Sequence, residues 1–387
     1  MNTMRNNRYV QIALAAVLLC LVVVVLGAYV RLSHAGLGCP DWPGCYGVAT
    51  WPTQQAQIDA ANQAFPERPV EVPKAWREMV HRFAAGVLIL LVLALALAKN
   101  WHVPQRRWQI LAAPALAVAG TAVYALGWPL SALGLLALGL LLLVHGAIVW
   151  RDLPLGRLAV AIFALILVQA LFGKWTVTLK LKPIIVTTHL IGGMATLSLL
   201  LWFLLRSAGW SLTQSGALRR GSVVVALVLV AIQIVLGGWV SANYAALSCA
   251  IDFPKCLGLW LPPMNFGEAF VLWRGIGVDY EGGVLDGPAR SAIQIVHRGF
   301  ALVVFGHVLV LAVRALRTPG FALHGAVLGV VLCTQVALGI TNVMAGLPLV
   351  VATAHNLFAA LLLAVLIALL ARLTPLPAGL APLRPAG

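Results

Sequence analysis

The chain is organised as a succession of uninterrupted apolar runs, each about 20 residues long, separated by shorter polar segments. At a rise of about 1.5 Å per residue such a run crosses a hydrocarbon core. Ten are predicted, over 9–30, 78–98, 109–126, 131–150, 156–173, 184–205, 221–241, 291–313, 321–340 and 350–371. None alternates apolar and polar residues as a barrel strand does, and unpaired backbone groups are costly in lipid, so all ten are read as helices. The first follows Arg5 and Arg8 as a secretory signal would. It is too long for one and lacks a small-residue cleavage site, and is read as an uncleaved span. Composition adds weight: 61% hydrophobic and 10% charged residues exclude a water-soluble globule.

A formal charge of +15 raises the question of nucleic acid, and its placement answers it. With a cytoplasmic N-terminus, one side carries Arg5, Arg8, Lys99, Arg106, Arg107, Arg151, Arg157, Arg206, Arg219, Arg220, Arg314, Arg317, Arg372 and Arg384, opposed only by Asp152. The remaining acidic residues, among them Asp41, Glu67, Glu71, Asp252 and Asp279, fall on the other side. This is the positive-inside asymmetry of a multi-pass protein, with no basic, aromatic-interleaved stripe for nucleic acid. Four of the six cysteines lie in the two longest outer loops: Cys39 and Cys45, then Cys249 and Cys256. One bridge within each loop is the simplest of three connectivities, and the spacing does not match a zinc site. Cys20 and Cys333 sit in apolar helices and are read as inert thiols.

Two stretches about 210 residues apart repeat a pattern. Leu26-Gly27-Ala28-Tyr29-Val30 with Cys39 and Cys45 matches Leu236-Gly237-Gly238-Trp239-Val240 with Cys249 and Cys256. Val80-His81-Arg82 matches Val296-His297-Arg298, and Gln169, Gly173 and His189 match Gln335, Gly339 and His355. The offset falls by about 50 before the last match, so the first half holds an extra segment, roughly 101–150, containing two apolar runs hinged at Gly127-Trp128-Pro129. The expected architecture is all-α and polytopic. Two parallel four-helix-bundle repeats, 1–206 and 207–387, carry an additional helix pair inserted at 101–150, giving about ten spans.

The repeat sorts the nine histidines. His81, His189, His297 and His355 occupy matched positions near the outer ends of helices running inward, and two imidazoles per half suffice to ligate a haem iron from both faces. The expected pairs are His81 with His189 and His297 with His355; the plainer alternative is core histidines hydrogen-bonded across helices. His34, His102, His145, His307 and His324 have no repeat partner and are read as local packing. Glu78 shares a helical face with His81, whereas the matched residue is Gln294. A carboxylate accepts a proton or stabilises positive charge, which an amide does not, so the first half is the expected reaction site and the second a permanent cofactor site. The competing reading pairs Glu78 with Arg77, Arg82 or a lysine. Arg82 and Arg298, and more weakly Lys174, Lys180 and Lys182, are candidates for haem propionate contacts.

Glu78-Met79-Val80-His81-Arg82 resembles the E-x-x-H-R motif of haem A synthases. Leu37-Gly38-Cys39-Pro40-Asp41-Trp42-Pro43-Gly44-Cys45 is similar to that family's first outer loop, and Gly173-Lys174-Trp175-Thr176-Val177-Thr178 to its third-helix exit. The resemblance covers nearly the whole chain outside the insertion. It implies an oxidoreductase of the bacterial plasma membrane that converts the C8 methyl group of haem O to the formyl group of haem A, for terminal oxidases, by successive hydroxylations and loss of water. It further implies substrate haem at His81 and His189, a bis-histidine haem b at His297 and His355, a catalytic Glu78, a role for Cys39 and Cys45, and a haem O synthase and an electron acceptor as partners. Family members usually have eight helices, so the inserted pair is a departure. Two other readings are weighed: a diheme b-type electron carrier, which needs no carboxylate at one site only, and a transporter, which would want broken helices at the midplane.

Overall fold

A computed structural model of the chain describes residues 2–211 and 218–376. Arg384 and the end of the 207–387 segment lie outside the described residues. All regular elements among them are helical: α1 (Asn2–Leu32), α2 (Gln55–Ala64), α3 (Val72–Asn100), α4 (Pro104–Ala125), α5 (Pro129–Val149), α6 (Pro154–Thr178), α7 (Pro183–Ser207), α8 (Arg220–Ala242), α9 (Phe266–Ala269), α10 (Gly287–Leu316), α11 (Ala322–Met344) and α12 (Leu349–Arg372).

Proline starts many of these helices. It stands in the first turn of α3, α4, α5, α6, α7 and α10, where its missing N–H would be unpaired in any case. The Asp286 carboxylate adds a cap to α10, accepting from the Ala289 N–H at 2.7 Å. These signals explain why α3 and α10 begin at Val72 and Gly287 rather than at 78 and 291: their polar first turns are helical but invisible to hydropathy.

By length and composition, nine of the helices among the described residues are long and apolar enough to cross a membrane, and the molecule is a polytopic helical membrane protein. The expected ten become nine because α4 carries Arg106, Arg107, Gln109, Pro114 and Thr121 within its 22 residues. It nevertheless lies antiparallel along the whole of α5. Gly139 abuts Ala113 and Gly120 abuts Ala132, while Gln109 Nε2 donates to the Leu142 carbonyl at 2.6 Å.

Helices α1, α3, α6 and α7 contact one another in a closed ring, as do α8, α10, α11 and α12. The rings meet through α7 with α8 and through α12 with α1 and α7, and the α4–α5 hairpin packs outside the first, on α3 and α6. Ala13, Leu95, Phe163, Leu200, Phe203, Val308 and Leu366 are fully buried between helices, whereas Leu90, Leu130, Leu302 and Val350 point outward as lipid-facing residues do.

Both long loops gather at one end. Each is closed by its own bridge, Cys39–Cys45 and Cys249–Cys256, as expected for one bridge per loop, and Cys20 and Cys333 are free. The loops share a device: Asp41 accepts from the Tyr46 and Gly47 N–H groups at 2.6 and 2.8 Å, and Asp252 from the Gly258 N–H at 2.6 Å. Arg68 of the first loop forms ion pairs with Asp279 and Glu281 of the second.

Candidate functional site

Each of the four matched histidines projects from its helix onto a glycine of the preceding long helix. The His81 ring on α3 lies against Gly27 of α1, His189 on α7 against Gly173 of α6, His297 on α10 against Gly237 of α8, and His355 on α12 against Gly339 of α11. A methyl group added at these glycines would stand 3.0, 3.5, 3.2 and 3.0 Å from the respective Cε1 atoms. Glycine thus lets an imidazole press against backbone at Gly27, Gly237 and Gly339, whereas at Gly173 a methyl group would stand at ordinary contact distance.

His81 lies close enough to His189 for the two to interact electrostatically, and so does His297 to His355. All four residues are half-buried, and the Nδ1 atoms of His81, His189 and His355 are buried without a hydrogen-bond partner. Among the described residues no three His, Cys, Asp or Glu side chains converge as a bare metal ion would require. Two imidazoles suit a metal that brings its own equatorial ligands, as a haem iron does, so the residues present fit that group.

The halves differ in what surrounds the rings. Gln233 Nε2 stands 3.1 Å from His297 Nδ1 and donates to the His297 carbonyl at 3.1 Å. The repeat places Val23 at the matching position, so only the second half has this amide brace. Gln335 Nε2 lies 3.3 Å from His355 Nε2, while Gln169 turns against the backbone of Gly192. Gln233 escapes sequence reading because a search for matched residues passes over a mismatch.

Glu78 is buried, with 4% of its surface exposed. Its Oε2 accepts from the Cys39 N–H at 2.9 Å and its Oε1 from Arg82 Nη2 at 2.5 Å. Arg77 is elsewhere, its guanidinium 5.5 Å from the Tyr29 ring centre. Gln294, equally buried, donates instead to the Ala246 carbonyl at 3.2 Å. Arg82 Nη1 also donates to the carbonyls of Asp41, Pro43 and Gly44, and Arg298 to those of Lys255 and Asp252, so both arginines grip the disulfide loops. Beside the first loop, burial and then the charges of Glu71 and Glu78 push the Tyr46 phenol up to about 12, and it stays a donor, to the Pro69 carbonyl at 3.3 Å.

Lys174 sits with its ammonium 4.2 Å from the Tyr124 ring centre, and Lys182 is buried with its ammonium 3.5 Å from that of Trp273. His34 stacks on Tyr244, His145 contacts Gln109 and His307 the Ser222 carbonyl.

This geometry coincides with a family match over most of the sequence. The model of the COX15-CtaA family, described as cytochrome oxidase assembly protein, matches residues 10–138 and 131–367. The chain belongs to the COX15-CtaA family. Among curated relatives, the Heme A synthase of Shewanella oneidensis is 38% identical over 350 residues, covering 90% of this chain and 91% of its own. The Heme A synthase of Rhizorhabdus wittichii is 26% identical over 94% of this chain and 93% of its own. That of Methylobacterium radiotolerans is 28% identical over 88% and 83%. The COX15-CtaA match thus runs from within α1 to within α12 and takes in the residues of the α4–α5 hairpin.

Proposed function

We propose that this member of the COX15-CtaA family is a haem A synthase, oxidising the C8 methyl group of haem O to the formyl group of haem A. His81 and His189 would hold the substrate haem and His297 and His355 a haem b, near the face of the membrane that carries the disulfide loops, taken as the outer one. The bound haems supply the redox chemistry. The chain's own residues orient them, exclude water and place one carboxylate: Glu78 takes a proton, or steadies positive charge, at the substrate edge through Oε1 or Oε2.

The observation that carries this reading is the contrast between halves. Both have two glycine-backed imidazoles, yet only the first has a buried carboxylate, Glu78, where the second has Gln294. An electron carrier with two equivalent haems gives no reason for that difference.

Extracting haems from cells with and without the gene tests it. A synthase leaves haem O accumulated and haem A missing in the deletion strain. Unchanged haem types would instead identify an electron carrier.

A further inference from the structure

The Arg82 side chain bonds to both the proposed catalytic carboxylate and the disulfide loop. Its Nη2 pairs with Glu78 Oε1, and its Nη1 reaches the carbonyls of Gly44, Asp41 and Pro43 at 2.7, 3.0 and 3.3 Å. The pair is largely shielded, with 14% and 6% of the two side chains exposed. The other carboxylate oxygen of Glu78 is held by the Cys39 N–H of the same loop. That N–H is brought down onto α3 because Gly38 is jammed against it: a methyl group at Gly38 would stand 2.6 Å from the Lys74 carbonyl carbon. The Cys39–Cys45 bridge closes this loop, and Arg82 of α3 is bonded to it, so both donors to Glu78 are tied to the bridged segment.

We propose that Arg82 is a positioning residue that, with the bridged loop 39–45, clamps Glu78 in its working orientation and does not contact a haem propionate. This rests on the haem A synthase reading. The second half supplies the comparison: Arg298 grips the Asp252 and Lys255 carbonyls in the same way, but the Gln294 amide bonds to Ala246 and takes no part. The grip on the loop is common to both halves, and its extension to a carboxylate belongs to the first. A charged, forked donor suits the task, since Nη2 faces the carboxylate while Nη1, on the other prong, faces the loop carbonyls, a spread that the single nitrogen of an ammonium lacks.

The test separates position from binding. Full-length protein carrying Arg82→Gln or Arg82→Lys is compared with wild type for haem O affinity, by absorbance titration, and for haem A formation in membranes. The clamp predicts that Arg82→Gln slows haem A formation by about a hundredfold, as a misplacement of about 1 Å does. Haem O affinity should stay within about threefold. Arg82→Lys, which keeps the charge and loses the fork, should recover about tenfold of the rate, and it is the variant read if Arg82→Gln does not accumulate.

Two results would overturn the clamp. One is an unchanged rate in Arg82→Gln. The other is a parallel fall in affinity, with loss of discrimination between haem O and its propionate dimethyl ester, which would make Arg82 a substrate contact. Wild-type protein that forms no haem A at all would instead remove the haem A synthase reading itself.

Discussion

At the scale of single residues, the fold spends glycine where it needs imidazole. Because a methyl group at Gly237 would sit 3.2 Å from His297 Cε1, tighter than ordinary contact, Gly237→Ala should push the ring off its helix-backed position. Overpacking of this kind costs about 1–3 kcal/mol, which here falls on haem binding. The expected outcome is a haem b affinity of the second half lowered by about ten- to a hundredfold, with the first half unaffected, read by the low-spin absorbance of the purified protein. Gly27→Ala should do the same to the first half. The four histidines stand out in the sequence because matched motifs repeat them, and so does the contrast between Glu78 and Gln294. Of the partners of Glu78, Arg82 was legible as one of the cations the sequence offered, at the i,i+4 spacing that lets helix side chains meet, whereas Cys39, on a loop 39 residues away, was not.

At the scale of elements, α4 and α5 are an excursion that leaves and returns to nearly one place. Asn100 at the end of α3 donates to the Gly156 carbonyl in the first turn of α6 at 3.2 Å, so the two ends of the inserted hairpin touch. The hairpin packs on α3 and α6 rather than on α1 or α7, the other two members of the first ring. Replacing residues 103–152 by a short Gly/Ser linker is therefore expected to leave both haem spectra intact. Loss of the first-half haem alone would show that the hairpin forms part of that site. Apolar runs mark both helices of the hairpin but count α4 as a tenth span, although its arginines, Gln109 and Pro114 leave it less apolar than the other nine. They also clip α3 and α10, whose proline-started first turns, from Val72 and from Gly287, lie ahead of the runs that begin at 78 and 291.

At the scale of the whole molecule, two helical rings share one bundle and their disulfide loops meet above it. The Arg68 pairs with Asp279 and Glu281, and the Tyr280 N–H donating to the Lys180 carbonyl at 3.1 Å, tie loop to loop and loop to helix turn. The Arg68 ion pairs are partly exposed and so worth about 1 kcal/mol or less each. Arg68→Ala should lower the thermal midpoint of haem release by only a few degrees, less still at high salt, in a melt followed by absorbance. Collapse of haem binding would mean that the latch organises the sites. The bridges within the loops were legible as the simplest pairing of four cysteines. The contact between loops was not, since nothing in the spacing of Arg68, Asp279 and Glu281 brings them together.

The central claim is that one ring reacts while the other keeps its cofactor, and that Glu78 makes the difference. The direct measurement is the identity of the haems bound to purified Glu78→Gln protein from cells that make haem O. The account predicts haem b and unconverted haem O side by side, with haem A formation reduced by about a hundredfold or more. Haem A in that protein at the wild-type level would contradict it.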